Sequence, residues 1–330
     1  MTPARAALIR PFLAAHGWGE AEIRPLAADA SFRHYHRLSR GAERAVLMDA
    51  PPPREDVRPF VALARHLVGL GLSAPRLLAV DEANGLLLLE DLGDDTYTRC
   101  LAAGADEAGL YALATDVLAE IATRPDAIPP GLAPYDDEKL LTEAGLLTEW
   151  YLPAVAGRDL SAAARADYHR LWRTLFPLAR LAPATLVLRD FHVDNLMRLD
   201  RPGLAGCGLL DFQDAVAGPA TYDLMSLLED ARRDIDPLLV ERMKQRWLDR
   251  VGLDRVVFDA SWAVMAAQRH AKVIGIFTRL ARRDGKPGYL VHIPRVWRLL
   301  ERALAHPALV SLAGWFEREI PPATRGVPAP

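Results

Sequence analysis

The spacing of apolar and polar positions changes several times in the first ninety residues. The opening segment, "TPARAALIRPFLAAHGW", is amphipathic and predicts a helix with Thr2 as N-cap, Pro3 at the first helical position and Gly17 as stop. Short, partly alternating runs over 22–28, 31–39 and 44–50 predict strands, with "RGAE" at 40–43 as a hairpin turn. "PPPRED" cannot continue a strand and introduces a helix closed by Gly71. Residues 76–93 read as strand, Asn84-Gly85 turn, strand. From residue 94 the helical period dominates, with helices predicted over about 106–124, 137–156, 161–181, 220–231, 237–251, 258–283, 289–305 and 308–319. The exception is 184–211, a strand, loop and strand, with "CGLLDFQDA" (207–215) as a third strand entering a loop. The expected fold class is α+β. A small antiparallel β-rich N-lobe (1–93) is joined to a large, mainly helical C-lobe (94–320), and the tail 321–330, "PPATRGVPAP", is disordered. A junction between such lobes is a common place for ligands.

Composition narrows the class of function. The 330 residues are 51% hydrophobic and 25% charged, ordinary for a globular chain. A net charge of −3 makes no electrostatic case for nucleic acid or an anionic membrane. Cys100 and Cys207 have no metal-type spacing and suggest a reducing compartment. With no window long and apolar enough to span a bilayer, the expectation is a cytoplasmic protein with a small-molecule partner, no membrane, no nucleic acid and no obligate protein partner. Only Lys139, Lys244, Lys272 and Lys286 are lysines, so residues 1–138 contain none.

The chemistry concentrates in "LVLRDFHVDNLM" (186–197). An apolar strand stops at Arg189-Asp190, and Asn195 follows Asp190 at plus five. Phosphoryl transfer needs a carboxylate to orient and deprotonate the attacking hydroxyl, and oxygen ligands to hold a metal against the phosphates. The kinase catalytic loop, H-R-D-x-x-x-x-N, is matched from Arg189 onward, with Leu188 in place of the histidine. Asp190 is the candidate general base. Asn195 and Asp211, the latter in "GLLDFQDA", are candidate Mg²⁺ ligands, since hard cations prefer carboxylate and amide oxygens.

Taken together, "LRDFHVDNLM" and "GLLDFQDAVAGPATYDLM" resemble the aminoglycoside phosphotransferase superfamily, whose core runs H-G-D-x-H-x-x-N followed by I-D-x-x-x-A and P-x-x-D-L. Asp190, His192, Asn195, Asp211 and Asp223 match it, with Pro219 one position further from Asp223 than in the pattern. The segments 29–38, 46–56, 88–97, 147–153 and 270–307 are similar to those of the bacterial anomeric sugar kinases of cell-wall recycling. Those enzymes phosphorylate N-acetylmuramate and N-acetylglucosamine on the C1 hydroxyl. The resemblance implies a protein-kinase-like two-lobed fold, ATP and Mg²⁺ as cofactors, and a cytoplasmic role in peptidoglycan recycling. It assigns Asp223, with Arg189, to structural support of the catalytic loop.

The N-lobe departs from the kinase pattern. The strand that carries the phosphate-pairing lysine in kinases has Met48 at that position, and the hairpin "ADASFRHYHR" lacks the glycines of a phosphate loop. Ala28, Ala30 and Ser31 are small enough to let backbone amides approach phosphates. Arg33 and Arg44 are the candidate clamps, and the backbone of Glu90 to Leu92 is the candidate adenine-binding hinge. For the acceptor, the candidates are His192, Asp194, Glu149, Gln213 and Arg269, with Trp150, Tyr151, Asp214, His270 and Lys272 behind them. The arginines of 258–308 suit a neutral or anionic sugar better than a polycation. Competing readings are a kinase of an aminoglycoside, amino alcohol or homoserine, a nucleotide-binding pseudokinase scaffold, and a metal-dependent hydrolase. The intact Asp190, Asn195 and Asp211 set argues against the scaffold, and the lack of metal-type histidines against the hydrolase.

Overall fold

The computed structural model describes residues 3–26 and 32–329. Thr2, the expected N-cap, and Ala28, Ala30 and Ser31 of the expected phosphate hairpin lie outside the described residues. The chain forms two compact units, Met1–Val117 with Val193–Asp214, and Leu118–His192 with Ala215–Pro330.

Unit 1 begins with α1 (Pro3–Ala15) and is built on β1 (Glu22–Pro25), β2 (His34–Arg40), β3 (Glu43–Asp49), β4 (Leu77–Asp81) and β5 (Leu86–Glu90). These form one antiparallel sheet in the order β1-β2-β3-β5-β4. Because side chains alternate across a strand, Leu38, Ala45, Leu47, Leu86 and Leu88 share one face, and Ile9, Phe12 and Leu13 of α1 pack on it. An Arg5–Asp49 ion pair at 2.5 Å fixes the helix to the sheet, and Arg5 also donates to the Asn84 carbonyl at 2.8 Å. The opposite face carries Arg37, Val46, Met48, Leu87 and Leu89. The helix α2 (Arg58–Gly69) follows β3, as the sequence predicts, and α3 (Tyr97–Ala102) was not expected.

A hairpin of β7 (Leu196–Arg198) and β8 (Cys207–Leu209) belongs to unit 1 although it lies a hundred residues downstream. Backbone bonds explain this, since Leu209 N–H donates to Ser73 O at 2.8 Å and Arg198 N–H to Asp95 O at 2.8 Å. This compact unit includes residues beyond 93, where the hydrophobic pattern turns helical. Along the chain the boundary between the units, Val117/Leu118, falls within α4 (Glu107–Thr123).

Unit 2 contains α5 (Asp137–Leu146), α6 (Leu152–Ala156), α7 (Ala162–Ala179), β6 (Ala184–Val187), β9 (Val216–Pro219), α8 (Thr221–Leu228), α9 (Pro237–Val251), α10 (Arg255–Arg282), α11 (Ile293–Leu304) and α12 (Val310–Glu319). Its centre is α10, buried continuously from Ser261 to Gly275. At Gly275 an added Cβ would meet the Leu146 carbonyl carbon at 2.3 Å, so only glycine lets α10 lie against α5 there. The helix expected over 137–156 is broken by a π-helical turn, Leu147–Tyr151. Pro153 has no N–H for the Glu149 carbonyl, which interrupts the ordinary i→i+4 ladder.

The strand that opens 207–215 ends at Leu209 and enters a loop, as the sequence predicts, with Asp211 at φ +58°; a further strand, β9, appears beyond it, paired with β6. The tail is not structureless, for Pro322–Thr324 form a 3₁₀ turn and the Arg325 side chain is buried. Arg325 pairs with Glu301 and Glu317, both at 2.7 Å, and lies over the Trp297 ring.

Candidate active site

The loop after β6 carries Asp190. Backbone N–H groups of Leu188 and Arg189 donate to the two carboxylate oxygens of Asp223, at 2.5 and 2.9 Å. Asp223 lies in the first turn of α8 and is buried. Burial pushes its carboxyl up to about 7, aided by the nearby Asp190 charge and opposed by the two N–H donors and by Arg269. Arg189 itself sits at φ +72°, in the left-handed region, and the Asp190 N–H turns back to the Leu188 carbonyl at 3.0 Å. Asp190 is half-buried at this bend.

Arg189 is held by a group that the sequence reading missed. Its guanidinium pairs with Glu143 of α5. Glu143 also meets Lys272 Nζ at 3.2 Å, Gln268 Nε2 at 3.3 Å and the Tyr135 hydroxyl. Burial opposes ionisation of Glu143, but Lys272 and Arg189 outweigh it and hold the carboxyl below its usual range. The available signal was an acid on the apolar stripe of "LLTEAGLL", which demands a buried partner.

Asn195 and Asp211 lie in unit 1, where the β7–β8 hairpin brings them together. Leu210 N–H donates to the Asn195 carbonyl at 3.0 Å, and Asn195 Nδ2 lies 3.4 Å from Asp211 Oδ2. Asp211 shares with Arg189 a non-glycine positive φ, a costly conformation that clusters at functional sites. The neighbouring Phe212 ring stacks on Phe60 of α2, centroids 4.9 Å apart, which anchors the turn. Along the chain the loop passes from unit 2 to unit 1 between His192 and Val193, so Asp190 and Asn195, five positions apart, belong to different units.

The other candidates fare unevenly. Gln213 Nε2 donates to Asp211 Oδ1 at 2.8 Å and orients that carboxylate, while its Oε1 has no hydrogen-bond partner among the described residues. Asp194 accepts from the Thr98 hydroxyl. Arg33 is paired with Glu55 at 3.0 Å, so a phosphate would have to compete for it. Arg44 is exposed at the hairpin end of β3. The Glu90 side chain pairs with Arg76 at 3.2 Å and Arg201 at 2.7 Å, and Leu92 is half-buried just beyond it. His192 is buried, while Glu149 is exposed on the π turn. Arg269 is buried on α10, and its Nη1 has no hydrogen-bond partner among the described residues. Of the secondary acceptor candidates, Trp150 is half-buried and Asp214 exposed. Tyr151 and His270 are packing residues: the Tyr151 hydroxyl donates to Gly326 O at 2.8 Å, and His270 Nε2 lies 2.7 Å from Glu229.

A phosphotransferase enzyme family model matches residues 22–267. The chain belongs to that family. A relative from Caulobacter vibrioides named N-acetylmuramate/N-acetylglucosamine kinase is 39% identical, covering 97% of this chain and 98% of its own. One of the same name from Pseudomonas aeruginosa is 42% identical, covering 90% of this chain and 89% of its own. Among solved structures, a choline/ethanolamine kinase family protein from Mesorhizobium loti superposes with a TM-score of 0.63 at 14% identity, over 95% of this chain and 99% of that one. An ADP-bound aminoglycoside phosphotransferase gives 0.56 at 17% identity, over 86% and 93%. These similarities establish the kinase-like fold, and the chain is a small-molecule phosphotransferase.

The family implies ATP as phosphoryl donor and a divalent metal. The Asn195–Asp211 pair fits the metal, since an amide and a carboxylate are hard donors. Among the described residues no group of three or more His, Cys, Asp or Glu could hold an ion alone, so phosphate and water oxygens would complete the shell. No helix is long and apolar enough to cross a membrane.

Proposed function

We propose that this phosphotransferase uses Mg²⁺ and ATP to phosphorylate the anomeric C1 hydroxyl of N-acetylmuramate or N-acetylglucosamine. The observation that carries the reading is near full-length similarity, at 35–42% identity, to kinases named for these sugars. Asp190 orients the C1 hydroxyl and takes its proton. Asn195 and Asp211 hold Mg²⁺, with Gln213 fixing the Asp211 carboxylate. Bound Mg²⁺ offsets charge on the phosphates during transfer. No lysine precedes residue 139 and Met48 occupies the usual lysine position, so backbone amides and the metal take a larger share of the phosphate contacts. An anomeric hydroxyl is more acidic than other sugar hydroxyls, so a single carboxylate base suffices. The arginine-bearing helices of unit 2, Arg269 among them, suit a sugar that carries a carboxylate. A role in recycling cell-wall sugars follows from the acceptor.

The test is product analysis. Either sugar should release ADP in the presence of Mg²⁺, and phosphorus NMR should place the phosphate on C1. A methyl glycoside, blocked at C1, should be inert, while a 6-deoxy sugar should react. Phosphate at C6, or turnover of the methyl glycoside, would rule out the 1-kinase reading. Preferential turnover of an aminoglycoside or amino alcohol would replace the acceptor class.

A further inference from the structure

Arg189 occupies a backbone conformation, φ +72°, that suits glycine. For a side-chain-bearing residue this conformation is strained, because Cβ crowds the following carbonyl oxygen. The bond from its N–H to Asp223 would be open to a glycine as well. What the arginine adds is its guanidinium, and that group is committed to Glu143. Glu143 is also bound from two further directions. Lys272 and Gln268 reach it from α10, at 3.2 and 3.3 Å, and Gln268 donates in addition to the Leu140 carbonyl at 3.0 Å. Tyr135 reaches it from the segment before α5, and the Tyr135 ring lies 5.8 Å from the Arg189 guanidinium carbon. The Tyr135 N–H in turn bonds to Ala217 O of β9 at 2.7 Å, and Ala217 pairs with Leu186 of β6, the strand that leads into the loop. The contacts close a ring from β6 through Arg189, Glu143, Tyr135 and β9 back to β6.

We propose that Glu143 is a positioning residue for phosphoryl transfer: acting through Arg189, it fixes the direction in which Asp190 presents its carboxylate. Lys272 and Gln268 hold Glu143 rigid, so that Arg189 meets a fixed anion and not a mobile one. The proposal rests on Asp190 being the general base. It goes beyond that reading by assigning the left-handed turn before the base to a buried ionic network.

The experiment is a double-mutant cycle on the full chain, with kcat, KM for ATP and thermal stability measured for wild type, Glu143→Gln, Arg189→Gly and the double variant. Glu143→Gln should lower kcat roughly 10- to 100-fold, the usual penalty of a misdirected reacting group, with KM for ATP changed by less than about threefold. In the Arg189→Gly background, where the residue holds the turn unaided, the same substitution should change kcat by less than about threefold. An equal loss of kcat in both backgrounds would show that Glu143 serves folding alone and would overturn the proposal. If Glu143→Gln fails to fold because Lys272 is left unpaired, the cycle is run with Lys272→Met in all four proteins. Asp190→Asn, measured beside them, separates the two claims. Near-normal turnover there removes the base and the proposal together, whereas an inactive Asp190→Asn leaves the cycle to decide about Glu143 by itself.

Discussion

Replacing Asp223 by asparagine changes one oxygen into an amide nitrogen and keeps the shape. Two backbone N–H groups, of Leu188 and Arg189, point at the two carboxylate oxygens from 2.5 and 2.9 Å. The asparagine can accept from only one, and its NH₂ group faces the other donor. A buried N–H left without an acceptor costs about 1–3 kcal/mol. The loop that carries Asp190 loses one of its two backbone tethers, and kcat should fall roughly 10- to 100-fold. The pH dependence has a definite sign. Burial raises the Asp223 carboxyl from 3.8 to about 7, so the folded protein keeps a proton that the unfolded chain has released. Its contribution to stability is complete below about pH 4 and is lost as the pH rises through about 7, a range worth up to about 4 kcal/mol. The asparagine does not titrate. The stability gap between wild type and Asp223→Asn, measured by urea unfolding at a series of pH values from about 4.5 to 8, should therefore narrow as the pH rises. A gap that stays flat from about pH 4.5 to 8 would show that the two N–H donors keep Asp223 ionised and that desolvation does not govern it.

Asp190→Asn should bind ATP normally and lose roughly 10²- to 10⁴-fold in kcat, the usual worth of a positioned base, and steady-state kinetics with calorimetry would check both. Asp211→Ala should weaken ATP affinity with Mg²⁺ present and leave it nearly unchanged in excess chelator; an equal loss in both, by calorimetry, would remove the metal assignment. Gly275→Ala should cost more than about 3 kcal/mol or abolish soluble expression, because its Cβ would press on the Leu146 backbone, 2.3 and 2.5 Å away, and not on a movable side chain. Arg325→Ala should lower the melting temperature by several degrees, since it removes two ion pairs and a ring contact around Trp297, and an unchanged melting curve would mean the tail contributes nothing.

The linear chain settles a good part of this protein. The period changes that predict β2, β3, α2, β4 and β5 are local, and so are the Asn84-Gly85 turn and the long helix α10. They depend on the alternation of side chains and on proline and glycine, which act within a few residues. The spacing of Asp190, Asn195 and Asp211 is legible for the same reason, because two strand ends joined by one hairpin leave little choice of placement. What the sequence could not reveal depends on partners far along the chain. The hairpin 196–209 joins the sheet-bearing unit because Ser73 and Asp95 accept its backbone N–H groups. Arg33, a candidate phosphate clamp, pairs with Glu55, a partner twenty-two residues later that no local pattern indicates. Arg325 lies in a segment of disorder-like composition, yet Glu301, Glu317 and Trp297 give it a buried seat. Glu143, 46 residues before Arg189, carries no motif at all. Its part emerges only when α5, α10 and the loop after β6 are packed together, because a buried carboxylate is defined by the charges that surround it and not by its neighbours in sequence.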